Sequence, residues 1–155
     1  MLTFGNYCVK ITYSKNIRRC ISMDMQFEKK ICLNFFKKCC QERLIYELGN
    51  IKKRRNFYDK IAHTSDLYLK NECIIQCNFM PVCIKEIKSF FNKEECYFMC
   101  LNAEFDGTWC LIDYVIEKIW SNGTPYIIVN KDCTKAYLEE EYDFSVHKSF
   151  LLINN

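Results

Sequence analysis

Glycine and proline are scarce in this chain, four and two of 155 residues, and no stretch rich in them divides it. No linker, low-complexity tract or second domain is therefore expected, and residues 1–155 read as a single domain. No apolar run approaches the length of a membrane-spanning helix. Residues 1–13 lack the basic start and long apolar run of a secretory leader. The expectation is a cytoplasmic protein with no membrane partner. Twelve cysteines are present, yet no two are spaced Cys-x-x-Cys and neither histidine sits in a ligand pattern with them. That argues against a zinc site, so no metal and no cofactor are expected. The thiols read as reduced, small, buried hydrophobes.

The net charge of +3 is mild. It permits an anionic ligand but does not point to a binder of duplex nucleic acid. The longest charged run, Lys52-Lys53-Arg54-Arg55, reads as a solvated loop or, functionally, as a rim that attracts phosphate. Ile and Lys number 17 each while Gly, Ala and Pro together number nine, a bias that suits an AT-rich genome such as that of a large DNA virus or a parasite.

Periodicity gives a mixed α+β order. "YCVKITYS" alternates as a strand through Val9, Ile11 and Tyr13. Residues 26–48 carry apolar groups at helical spacing (Phe27, Ile31, Phe35, Cys39, Ile45), with lysines on the other face. After the basic connector, "IAHTSDLYL" reads as a strand. "PVCIKEIKSFFNKEE" reads as a helix with Pro81 in its first turn. "CYFMCLNAEF" reads as a buried strand closed by Asp106-Gly107. "TWCLIDYVIEKIW" reads as a helix, and "PYIIVN" and "VHKSFLLIN" as strands.

The two histidines carry the functional signal. Each heads the same pattern, His63-Thr64-Ser65 and His147-Lys148-Ser149, in strand-like runs. Ser and Thr make up 13 of 155 residues, so the odds of both histidines having one at the second position by chance are about 0.7%. On a strand, side chains two apart share a face. His63 and Ser65 would then point one way, and His147 and Ser149 likewise. If the strands lie together, two imidazoles and two hydroxyls converge. One imidazole can take a proton from an attacking hydroxyl while the other gives one to the leaving oxygen. The serines can bond phosphoryl oxygens as charge builds there.

These two motifs, in "IAHTSDLY" and "SVHKSFLL" and 84 residues apart, resemble the signature of the two-histidine phosphoesterases. The resemblance implies two pseudo-symmetric lobes, each with a small antiparallel sheet and helices, facing one another across a central groove. It implies that His63 and His147 are the acid/base pair and that Ser65 and Ser149 hold the phosphate. Asp66 departs from the family pattern, where an apolar residue commonly follows the Ser. Small viral members that degrade cyclic-nucleotide immune signals are the most similar, which would place the chain in the host cytosol. The implied activity is metal-independent cleavage of a cyclic dinucleotide, 2′,3′-cGAMP first, in immune evasion. A short 2′-5′-linked oligoadenylate or an RNA 2′,3′-cyclic phosphate is the alternative substrate. Tyr13 and Trp109 are candidate base-stacking aromatics, with Trp120 a third; core packing is the competing role for each. The rival from another class is a non-catalytic protein that sequesters a nucleotide or binds a host protein.

Overall fold

Apolar spacing between residues 25 and 62 builds the helical layer. The computed structural model describes residues 23–120, 122–142 and 147–155; the expected strand "YCVKITYS" and Tyr13 lie outside them. Helix α1 (Met25–Phe35) starts at Asp24, whose side chain accepts the Phe27 N–H at 2.9 Å and caps the helix. The one helix expected over 26–48 is two. Phe36 turns extended, and α2 (Lys38–Gly49) follows. The break frees backbone for pairing: Lys37 N–H meets the Tyr68 carbonyl at 2.8 Å, and Lys70 N–H meets that of Phe35 at 2.9 Å. The spacing of Phe27, Ile31, Phe35 and Cys39 runs straight through the break and conceals it.

The strand expected at "IAHTSDLYL" is overturned. Residues Arg54–His63 form helix α3, and Ser65–Tyr68 a short helix α4. The period-two pattern of Ile61, His63, Ser65, Leu67 and Leu69 competes with a helical stripe that starts earlier. Arg54, Phe57, Tyr58, Ile61 and Ala62 are all buried on one face of α3. The stripe prevails because burying its two large rings outweighs a short alternating run.

Among the described residues six strands follow: β1 (Ile74–Asn78), β2 (Glu95–Cys100), β3 (Thr108–Leu111), β4 (Tyr126–Asn130), β5 (Lys135–Glu139) and β6 (Ser149–Ile153). They form one antiparallel sheet in the order β1-β6-β5-β4-β2-β3. Helix α5 (Ile84–Phe90) precedes β2, starting three residues after Pro81, and α6 (Ile112–Ile119) follows β3 directly. The helix expected over 108–120 thus begins only at Ile112, since "TWCL" pairs with β2. Asp106-Gly107 does make the turn between them: Gly107 has φ +68°, and a Cβ there would lie 2.7 Å from Met23 Cγ.

Both sheet faces are covered. Ile31, Phe35, Leu44, Phe57 and Ile61 of the first helices pack with Tyr97, Met99, Val129, Leu138 and Phe150. Ile87, Val115 and Ile116 of α5 and α6 pack with Phe98, Ile128, Tyr137 and Leu151. This burial on two sides explains why β2 after Glu95 and β4 before Asn130 are continuous apolar runs rather than alternating.

Arg54 belongs neither to a solvated loop nor to a phosphate rim. It is buried and donates to both Glu28 oxygens, each at 2.8 Å, and to Asp106 at 2.7 and 2.8 Å. Tyr97 donates to Glu28 at 2.8 Å, and Tyr58 donates to Asp106. The cluster ties α1 and α3 to the β2–β3 turn.

Candidate functional site

The fold brings the two His-x-Ser motifs together. Beyond β5 the chain continues alongside the residues that precede β6, with Glu140 N–H on the Lys148 carbonyl at 2.9 Å. The next residue reaches the other motif: Glu141 N–H meets the Ala62 carbonyl at 2.8 Å. Side chains repeat the link, with Lys148 Nζ 2.9 Å from Asp66 Oδ2. Three consecutive glutamates, Glu139, Glu140 and Glu141, form the centre of this corner.

Each glutamate engages a different motif residue. Glu140 Oε1 accepts both the Ser65 N–H at 3.0 Å and the Ser65 hydroxyl at 2.6 Å, while Oε2 is buried with no hydrogen-bond partner. Glu141 Oε2 lies 3.4 Å from His63 Nε2, and both side chains are about half exposed, at 44% and 51%. Glu139 is buried, and its Oε2 accepts the hydroxyls of Tyr126 at 2.5 Å and Tyr137 at 2.7 Å. Its Oε1 lies 3.7 Å from His147 Nε2. Burial and the neighbouring carboxylate push both phenols well above the usual tyrosine range, so they remain donors.

The arrangement departs from the expected four-group convergence. Alternation along β5 and β6 puts Glu139, Ser149 and Leu151 on the α5–α6 face; His147, expected on the last strand, precedes β6 and lies beside Glu139. Glu140 and Lys148 turn to the face covered by the first helices, and Ser65 meets Glu140 there. The two serines therefore sit on opposite faces of the sheet. Ser65 is completely buried, and so is Ser149, whose hydroxyl donates to the Met80 carbonyl at 2.8 Å. A phosphate at either serine would have to displace a protein acceptor. His63 ends a helix and faces outward. His147 is 5% exposed, with both ring nitrogens shielded and unbonded, and the Tyr142 ring lies 5.6 Å from it. Burial holds this imidazole below the ordinary histidine range.

Trp109 is elsewhere. It lies on β3, four strand spacings from β6, or about 19 Å at ~4.8 Å each. Its ring packs on Phe27 at 4.6 Å and Tyr97 at 5.1 Å, so it serves the core. Trp120 donates its Nε1–H to the Val82 carbonyl at 2.8 Å.

The glutamates were missed from sequence. Glu139 does follow Tyr137 at period two, but its partners Tyr126 and His147 are set by strand register. Among the described residues no group of three or more His, Cys, Asp or Glu side chains is arranged to hold a metal ion. Burial raises the thiols of Cys32, Cys96 and Cys100 to about 12, which keeps them protonated. No protein-family model matches this chain, and neither does any curated protein or solved structure.

Proposed function

We propose that the paired motifs act as a clasp that closes one corner of the fold, and that the chain is a non-catalytic binding module for a protein partner. One observation carries this reading: both motif hydroxyls are committed to protein acceptors on opposite faces of the sheet. Neither is left to hold a phosphoryl oxygen. The acid/base role meets the same obstacle at His147, whose nitrogens have no path to a substrate in this conformation. Beside the exposed His63 and Glu141, the corner presents apolar side chains outward. Leu67, Phe79, Met80 and Tyr142 flank the clasp and are each at least 60% exposed. Exposed apolar side chains on either side of the clasp suit a protein contact better than an anionic nucleotide beside three glutamates.

A second reading keeps the paired-histidine phosphodiesterase. It is favoured by one specific feature: each imidazole faces a carboxylate of the same short segment, His63 with Glu141 and His147 with Glu139. A carboxylate behind an imidazole stabilises its charged form during proton transfer. In this reading the β1-β6-β5 and β4-β2-β3 halves of the sheet would stand for the two lobes, and 2′,3′-cGAMP would be the first substrate to try. His147 would have to open to solvent, and groups other than the serines would have to hold the phosphate.

One assay separates the two. Purified protein, His63→Ala and His147→Ala are each incubated with 2′,3′-cGAMP, 2′-5′ oligoadenylate and RNA bearing a 2′,3′-cyclic phosphate, in excess EDTA and with added divalent metal. The module reading expects wild type and variants to be equal to a protein-free control throughout. Turnover that both substitutions remove would overturn it and establish the enzyme.

A further inference from the structure

His147 is a buried titratable ring held by packing alone. Its Nδ1 and Nε2 are shielded and have no hydrogen-bond partner. The groups facing it can be named by element. Among the described residues, Glu139 of β5 lies 3.7 Å away and the Tyr142 ring 5.6 Å away, while Tyr137 of β5 and Tyr126 of β4 bond the other oxygen of Glu139. Ser149, at the start of β6, turns its hydroxyl to Met80 instead. Lys148 points to the other face and is held by Asp66 at 2.9 Å. At 3.7 Å Glu139 is beyond hydrogen-bond reach of the ring. Two phenols already draw on its charge through Oε2.

We propose that His147 is a proton-operated catch on this corner: neutral, it fills the space between Glu139 and Tyr142; protonated, it is driven outward and loosens the contacts its neighbours make. A neutral imidazole can occupy this gap at modest cost, whereas an imidazolium there has no hydrogen bond, and Glu139 at 3.7 Å offsets only part of its desolvation. The residues on either side of the ring carry the joint between the motifs. Glu140 holds Ser65, Glu141 holds the Ala62 carbonyl, and Lys148 holds Asp66. Displacing the ring therefore disturbs the contacts that close the corner.

The sign follows from linkage. Burial lowers the folded-state pKa of His147 beneath the unfolded value of about 6.5. Between those two values the unfolded chain holds the extra proton. The stabilising contribution is complete above about pH 6.5 and declines as pH falls toward the folded value, by up to tenfold in the folding equilibrium per pH unit.

The test follows the two histidine ring C–H resonances by proton NMR against pH, with His63→Gln assigning them. Urea unfolding of wild type, His147→Phe and His147→Gln from about pH 7.5 to about pH 5 runs alongside. The expected result has His147 titrating below the ordinary histidine value, and lower again in Glu139→Gln, which removes the facing negative charge. Wild type loses folding equilibrium below about pH 6.5, and the variants lose less. A His147 resonance titrating at or above the ordinary value would overturn the proposal. So would wild-type and variant pH profiles that run parallel. The titration is made on the unsubstituted chain, so it decides the matter even if both variants fail to fold.

Discussion

Two buried polar clusters lie on opposite faces of this sheet, and they satisfy their charges in different ways. At Arg54 the guanidinium meets both oxygens of Glu28 and both of Asp106, and two tyrosines complete the set. At His147 the phenols serve Glu139, while the imidazole beside it has no hydrogen bond. The first cluster is saturated and contains no histidine. The second contains the one buried histidine. Saturation makes Arg54 a fixed joint, and its lack makes His147 a conditional one.

The largest predicted effect comes from breaking the saturated cluster. Arg54→Ala leaves two carboxylates facing one another without their cation, at a cost of about 3–5 kcal/mol in urea unfolding. An effect under about 1 kcal/mol would mean that the cluster is not holding α1 and α3 to the β2–β3 turn. Ser65→Ala ranks next. It removes the closer of two hydrogen bonds to Glu140, whose other oxygen is already unpartnered, and should cost about 1–3 kcal/mol. Ser149→Ala loses a neutral hydrogen bond to Met80 and should cost about 1 kcal/mol. Lys148→Ala should cost least, about 0–1 kcal/mol, because its partner Asp66 is 44% exposed. The order matters more than any one value. If Lys148→Ala outranked both serines, the joint between the motifs would be electrostatic rather than a buried hydrogen-bonded clasp.

The sequence disclosed some of this and concealed the rest for physical reasons. Strands β2, β4 and β6 were legible at their short apolar centres, but β2 stops at Cys100 rather than Phe105, and β6 starts at Ser149, so His147 lies outside it. Strand β3 was absorbed into a helix reading, since Cys110, Leu111, Tyr114 and Val115 also fit helical spacing. Strand β5 contains Glu139, and a buried carboxylate makes sense only once Tyr126 and Tyr137 stand beside it. Strand β1 is half exposed at the sheet edge and gives little pattern. The misreading of residues 61–69 had the widest consequences. The repeated pattern left the meeting of the two motifs, 84 residues apart, as a condition, and only the family resemblance implied a common groove. Their shared face was not legible, because it assumed strand geometry at Ser65, where the chain is helical.

The comparison also says where charge acts on this molecule. Protonating His147 places a new charge on its own face of the sheet and none in the Arg54 cluster, so the two faces should differ in their response. Hydrogen-exchange protection below about pH 6.5 should therefore fall first around residues 139–142 and 147–149, and last around residues 54–58 and 97–106. A uniform loss of protection would merge the two clusters into one cooperative unit and remove the contrast.

The most direct measurement is turnover of 2′,3′-cGAMP in excess EDTA by wild type and by His147→Ala at matched, folded concentrations. The account of the motifs as a clasp predicts no cleavage above a protein-free control for either. Cleavage by wild type that the single substitution abolishes would contradict it and make the corner an active site.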